Sequence, residues 1–210
     1  MKRTGLKLDV VTYNSLIDGY GKVGLLSEAV IVYEEMKDAG CEPNVITYNS
    51  LINCFCKFES LPQAFQYLHE MKERGLKPNV VTYNTMIDAF CKSGMMLEAI
   101  KFFVDMIHVG LQPNEFTYTS LIDANCKIGD LNEAFKLENE MLQAGLNLNV
   151  VTYIALLDGI AGSDDMKSGD LNNRKGLPKF FGVRDEAAVM ELKVFEAELK
   201  ELQGVTRKQL

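Results

Sequence analysis

The sequence predicts an all-α fold, an α-solenoid of stacked 35-residue helical hairpins. Three observations carry that expectation. A Thr-Tyr-Asn tripeptide or a close variant recurs at Tyr13, Tyr48, Tyr83, Tyr118 and Tyr153, each 35 residues after the last with no insertion. Other columns keep the same step: Ala29, Ala64, Ala99 and Ala134; Met36, Met71, Met106 and Met141; Gly40, Gly75, Gly110 and Gly145; Pro43, Pro78 and Pro113. Within each unit the apolar spacing is helical twice over, and no strand-type alternation competes with it.

In the first unit Tyr13, Leu16, Ile17 and Tyr20 follow i, i+3, i+4, i+7, one apolar stripe along a helix A of about three turns. Thr12 is its expected N-cap. A turn at Gly24 leads into a helix B whose stripe runs through Leu26, Ala29, Val30, Tyr33 and Met36. Gly40 stands where a helix C-terminus takes a positive φ, and Pro43 blocks continuation. The alanine column lets the two helices approach closely. A hairpin of this size cannot bury both stripes alone, so consecutive hairpins must stack. Complete units are expected over 10–44, 45–79, 80–114 and 115–149, with a partial fifth over 150–160.

Units of two helices that open V-T-Y-N-x-L-I-x-x-x-x-K-x-G and close E-A…M-x-x-x-G-x-x-P-N resemble the pentatricopeptide repeat family, P-type. The resemblance covers roughly residues 1–160. Tetratricopeptide repeats have a period of about 34 and a Trp-centred opening, whereas this chain has no Trp. The resemblance implies a right-handed superhelix that binds single-stranded RNA.

Both ends depart from the pattern. Met1 falls in the column of Met36, so residues 1–9 read as the end of a preceding repeat whose helix B is missing, which would leave an apolar edge on the first unit. The expectation is a truncated product, an incomplete gene model or a fragment of a longer array, with a genuine four-unit protein as the alternative. Residues 161–182 are polar, rich in Gly, Asp and Asn, and read as a linker. Residues 183–210 are expected to carry a charged helix, with Ala188, Leu192, Phe195, Leu199 and Leu202 spaced 4, 3, 4, 3. It would fold back as a cap. A short coiled coil, an interrupted fifth unit and a foreign segment joined by rearrangement stay open, the fifth unit because 182–187 repeats the helix B opening at 129–134.

Single-stranded RNA is read by polar groups on base edges, apolar groups on base faces and cations on phosphates. The repeat offers a column for each. The tripeptide Asn gives Asn14, Asn49 and Asn84, then Thr119 and Ile154; the closing residue gives Asn44, Asn79, Asn114 and Asn149, preceded by Asp9. An amide carries donor and acceptor in one plane, and a Thr hydroxyl is the smaller substitute. The competing local reading is that a closing Asn is a cap or turn residue. The first column changes from Asn to Thr while its scaffold does not, as a variable reading position would.

By resemblance the tripeptide residue and the closing residue of a unit choose one base, units running N to C along RNA 5′ to 3′. Asn–Asn implies a pyrimidine, C over U, and Thr–Asn implies A. The pairs Asn14 with Asn44, Asn49 with Asn79, Asn84 with Asn114 and Thr119 with Asn149 then imply 5′-Y-Y-Y-A-3′. Ile154 leaves any fifth base unread. Val11, Ile46, Val81, Phe116 and Val151 resemble the family's base-sandwiching position, the alternative being helix-start packing. Lys22, Lys57, Lys92 and Lys127 suit one phosphate per nucleotide, although Lys near a helix C-terminus also stabilises the helix dipole. If all four engage, counterion release gives a log–log salt slope of roughly −3.

Composition sets limits. The 210 residues are 47% hydrophobic and 24% charged, ordinary for a globular chain. Apolar runs fall far short of the roughly 18 residues of a membrane span, so no membrane partner is expected. Five cysteines, an odd number without a signal segment, point to a reducing compartment. A net charge of −7 argues against a nonspecific nucleic-acid coat. The acidity falls mostly outside the A helices, whose four lysines are set against Asp18, Asp88 and Asp123.

Enzymatic and metal chemistry find little support. His69 and His108 lie in different columns, neither read as having a Cys or carboxylate at ligand spacing. Cys54-Phe55-Cys56 is the nearest thing to a metal motif, but Cys56, Cys91 and Cys126 form a column of small packed residues before each Lys. Zinc-deaminase signatures and phosphate-binding Gly-rich loops are absent. No catalytic residue, metal or cofactor is assigned. By resemblance the expected role is RNA processing, stability or translation in mitochondria or chloroplasts of plants, by occupying the transcript. No Arg-rich amphipathic segment precedes the array, so the organelle rests on family alone. The rivals are a protein-binding solenoid holding a peptide or partner helix, and a non-functional truncated product. Another RNA-processing protein is a further candidate partner, as is a second copy, through the N-terminal edge or the C-terminal helix.

Overall fold

The computed structural model describes residues 8–162. Among these are nine α-helices and no strand: α1 Val10–Lys22, α2 Leu26–Asp38, α3 Val45–Lys57, α4 Leu61–Glu73, α5 Val80–Lys92, α6 Met96–His108, α7 Glu115–Ile128, α8 Leu131–Gln143 and α9 Val150–Gly162. The all-α expectation therefore holds. The Met1 column and the segment 163–210, with its linker, capping helix and alternatives, lie outside the described residues. Ala161 and Gly162, read as the start of the linker, are instead the last residues of α9.

Every complete hairpin starts the same way, and not as expected. The N-cap of α1 is Asp9, not Thr12; Thr12 sits three residues on and donates its backbone N–H to Asp9 Oδ1 at 2.8 Å. Asn44, Asn79 and Asn114 cap α3, α5 and α7 in extended backbone, and the hydroxyls of Thr47, Thr82 and Thr117 accept the cap residue's own N–H in return. The reason is reach. A short carboxylate or amide outside the helix meets the free N–H three residues ahead, and a threonine at that place returns the bond. Such a cap stabilises by about 1 kcal/mol.

Helix ends are equally regular. At the end of α2, Gly40 has φ 71°, its N–H bonds the Lys37 carbonyl at 2.9 Å, and the Cys41 N–H bonds the Met36 carbonyl at 3.0 Å. This doubly bonded left-handed stop recurs at Gly75, Gly110 and Gly145. The tighter turn from helix A to helix B uses Gly24, Gly94 and Gly129 in the left-handed region, but the second unit places Glu59 there with φ 58°.

The alanine and methionine columns are wholly buried, as are Ile17, Tyr33, Tyr48, Leu51 and Ile52. Of the stripe proposed for α1, Tyr13 and Ile17 are buried while Leu16 and Tyr20 are half-buried; on α2 the stripe gains Val32. Each A helix packs on its own B helix and on the next A helix, so α1, α3, α5, α7 and α9 form one continuous row. Small side chains set the spacing in that row. A Cβ at Gly21 would lie 1.7 Å from Cys54 Sγ, and one at Gly159 would lie 2.8 Å from Cys126 Cβ. Aromatic contacts tie α2 to α3, α4 to α5 and α6 to α7: Tyr33 meets Tyr48 through hydroxyls 2.9 Å apart, the Phe65 and Phe90 rings lie 5.6 Å apart, and the Phe103 and Tyr118 rings cross edge-on at 5.6 Å.

Candidate nucleic-acid interface

Stacking of the A helices brings the two polar columns together. Asn14 Nδ2 donates to Asn44 Oδ1 at 3.4 Å, Asn49 to Asn79 at 3.2 Å and Asn84 to Asn114 at 3.1 Å. In the fourth unit the direction reverses, Asn149 Nδ2 donating to Thr119 Oγ1 at 3.2 Å. All four sequence-predicted pairs are thus in contact across 30 residues of chain.

The closing Asn is a cap, as its local reading has it. Asn44 Oδ1 accepts the backbone N–H of Ile46 and of Thr47 at 3.0 and 3.1 Å, so its oxygen is committed to the cap. Amide chemistry then determines what remains. With the oxygen turned to the backbone, Nδ2 and its hydrogens face away as donors. Asn14 and Asn84 are themselves buried, Asn49 half-buried, and the closing residues more open.

Beside each pair stands an exposed apolar side chain. Val11, Ile46, Val81, Phe116 and Val151 are between 53% and 70% exposed, which excludes helix-start packing as their reason. At one per helix A, they form a ladder of apolar edges with the repeat's own spacing.

The lysine column is placed as expected, in the last turn of α1, α3, α5 and α7, but three of its members are already neutralised. Lys22, Lys92 and Lys127 sit 2.6 Å from Asp18, Asp88 and Asp123, one turn back on the same helix. The i, i+4 spacing was visible and is favourable on any helix. Glu115, in the first turn of α7, adds a further carboxylate that the charge balance of the A helices overlooked; with it the four lysine-bearing helices are neutral.

The remaining candidates fall to structural roles. Burial pushes the Cys56 and Cys91 thiols up to about 12 and those of Cys54 and Cys126 up to about 11, which keeps all four as neutral packing groups. Cys56 reaches Met86 Sδ at 3.8 Å. His69 does have a carboxylate at helical spacing, Glu73 at 3.4 Å, but both side chains are open to solvent. His108 closes α6. Two features escaped the sequence. One is the threonine column Thr47, Thr82, Thr117 and Thr152, buried against the polar pairs. The other is Glu138, 2% exposed in α8 in the column of Tyr33, Leu68 and Phe103, whose carboxyl desolvation raises to about 7.

The family description "PPR repeat family" matches residues 8–57, 43–92, 78–127 and 120–162, which together span all the described residues. The chain belongs to the PPR repeat family. Among solved structures, the pentatricopeptide repeat protein PPR10 from maize matches this PPR array at TM-score 0.68 and 28% identity, over 96% of this chain and 27% of that one. PPR10 in complex with an 18-nt psaJ RNA element matches at TM-score 0.66 and 29% identity, over 78% of this chain and 25% of that chain. The PPR domain of Arabidopsis thaliana protein-only RNase P 1, in complex with tRNA, matches at TM-score 0.63 and 20% identity over 91% and 98%, a likeness of fold. The chain spans about a quarter of the length of the PPR10 chains it matches. Among curated proteins, none matches.

Proposed function

We propose that this PPR array binds single-stranded RNA in a modular way, one base per hairpin, over the sequence 5′-Y-Y-Y-A-3′. The pairs Asn14–Asn44, Asn49–Asn79, Asn84–Asn114 and Thr119–Asn149 read base edges. Val11, Ile46, Val81, Phe116 and Val151 flank base faces, and Lys22, Lys57, Lys92 and Lys127 approach phosphates. The observation that carries the reading is the contact within each polar pair, repeated at one place in four successive hairpins beside an exposed apolar residue. The RNA bound by PPR10 supports the same ligand class here.

The cap geometry supplies a chemical reason for the base choice. Asn44 turns Oδ1 to the backbone and offers N–H outward, while Asn14 keeps one N–H free beyond the bond to Asn44. Two outward donors fit the N3 and O2 acceptors of cytosine. Uracil presents an N3–H that one of them must face, so C is preferred to U. In the fourth unit Asn149 Nδ2 can serve N1 of adenine, and the Thr119 hydroxyl, with its own proton given to Thr152, keeps one lone pair to accept from the exocyclic amine.

Occupancy of a transcript in mitochondria or chloroplasts, protecting it or blocking access, needs only this binding and no catalytic group. The deciding experiment is Asn44→Asp. The cap oxygen survives, but the outward donor becomes an acceptor, so preference at the first base moves from C toward U. A binding selection in which that preference stays put would sink the assignment. Absence of any RNA retention at low salt would favour a protein-binding solenoid.

A further inference from the structure

The threonine that returns the cap bond also touches the pair belonging to the preceding hairpin. Thr47 Oγ1 accepts the Asn44 backbone N–H at 3.0 Å and lies 2.7 Å from Asn14 Oδ1 but 3.2 Å from Asn44 Oδ1. A hydroxyl has one proton. The shorter contact takes it, so Thr47 donates to Asn14. The same asymmetry recurs twice: Thr82 is 2.6 Å from Asn49 and 3.2 Å from Asn79, and Thr117 is 2.6 Å from Asn84 and 3.1 Å from Asn114. In the fourth site Thr152 of α9 meets Thr119 hydroxyl to hydroxyl at 2.7 Å. These threonines are buried, so no water replaces the bond.

We propose that each reading site is assembled from two consecutive hairpins, and that Thr47, Thr82, Thr117 and Thr152 are positioning residues for the base read by the hairpin before their own. The inference rests on the RNA-reading assignment above. Its physical content is an amide orientation. An Asn side chain can rotate by half a turn and exchange its donor and acceptor, which would erase the difference between C and U. With Thr47 donating to Oδ1, Asn14 is held with nitrogen toward Asn44 and the outside. The arrangement also gives α9 a role although Ile154 reads nothing: its Thr152 completes the fourth site.

The consequence is an offset in register that packing within the hairpin 45–79 alone does not produce. Thr47 belongs to the hairpin whose own pair, Asn49 and Asn79, reads base two, yet its loss should be felt at base one. The test uses the full chain and a fluorescently labelled RNA, CCCA flanked by abasic residues, with each base changed in turn. Thr47→Val should cut discrimination at base one by roughly five- to tenfold and leave bases two to four as they were. Thr47→Ser, which keeps the hydroxyl, should restore it, and Thr152→Val should act at base four alone. Thermal melts of each variant separate these outcomes from unfolding. A Thr47→Val protein that loses discrimination at base two, loses affinity evenly for all RNAs, or keeps its base-one preference overturns the proposal while the reading assignment stands. A wild-type chain that discriminates at no base overturns both.

Discussion

Lys57 donates from Nζ to the backbone carbonyl of Lys22 at 3.0 Å, joining the C-terminal ends of α3 and α1, while the other three lysines of its column close on aspartates at 2.6 Å. The cause is one residue. Position 53 is Asn where the other units have Asp18, Asp88 and Asp123. Lys57 alone in the column therefore carries a charge with no carboxylate partner among the described contacts.

That asymmetry revises the salt dependence. Exposed pairs of this kind are weak, but a lysine already neutralised releases fewer counterions when it meets phosphate. The log–log slope for RNA binding should be well short of the roughly −3 that four free lysines give. Replacing Asp18, Asp88 and Asp123 together by Asn should steepen it toward that value, measured by anisotropy titrations over a range of salt. Equal slopes for the two proteins would show that the aspartates do not restrain the lysines.

Gly21 and Cys54 set the approach of α1 to α3. Alanine at position 21 gains helix propensity of about 1 kcal/mol, but its Cβ would lie 1.7 Å from Cys54 Sγ. Overpacking prevails. Gly21→Ala should lower stability by about 1–2 kcal/mol, and Cys54→Gly on top of it should recover part of the loss. Chemical denaturation of the two single variants and the double variant measures the coupling; strictly additive effects would contradict the contact.

Glu138 makes stability depend on pH in an unusual direction. Its carboxyl is desolvated in the folded chain and titrates at about 7, against an ordinary 4.5. Below 4.5 the group is neutral folded or unfolded and costs nothing. Between those values only the unfolded chain ionises, so stability falls as pH rises and levels off above about 7. The span is at most about 3 kcal/mol. Melting curves from pH 5 to 8 should show this decline relative to Glu138→Gln, which removes it. Glu138→Leu, matching Leu68 in the same column, should raise the melting temperature at pH 8.

Glu59 holds φ 58° at the turn where three other units have glycine. A side chain in the left-handed region costs on the order of 1 kcal/mol, and glycine relieves it at a small cost in unfolded-state entropy. Glu59→Gly should therefore stabilise the second hairpin by about 0.5–1 kcal/mol. Amide exchange of α3 and α4 resolves that locally. Unchanged or faster exchange there would mean that Glu59 carries another role.

Much of the molecule was legible before any coordinates. The 35-residue step, the two helices per unit and the glycine stops all follow from columns in the sequence, because helix periodicity and turn conformation are decided by near neighbours along the chain; which polar columns pair came only from the family resemblance. The sequence by itself determined which residues line up. Tertiary structure alone decided which of their atoms are free: Asn44 spends its oxygen on a cap, Thr47 reaches back to Asn14 across 33 residues, and Cys54 fills the space that Gly21 leaves. Those outcomes depend on the distance and rotation between stacked A helices. A column pattern carries neither quantity, and the direction of a hydrogen bond follows from both.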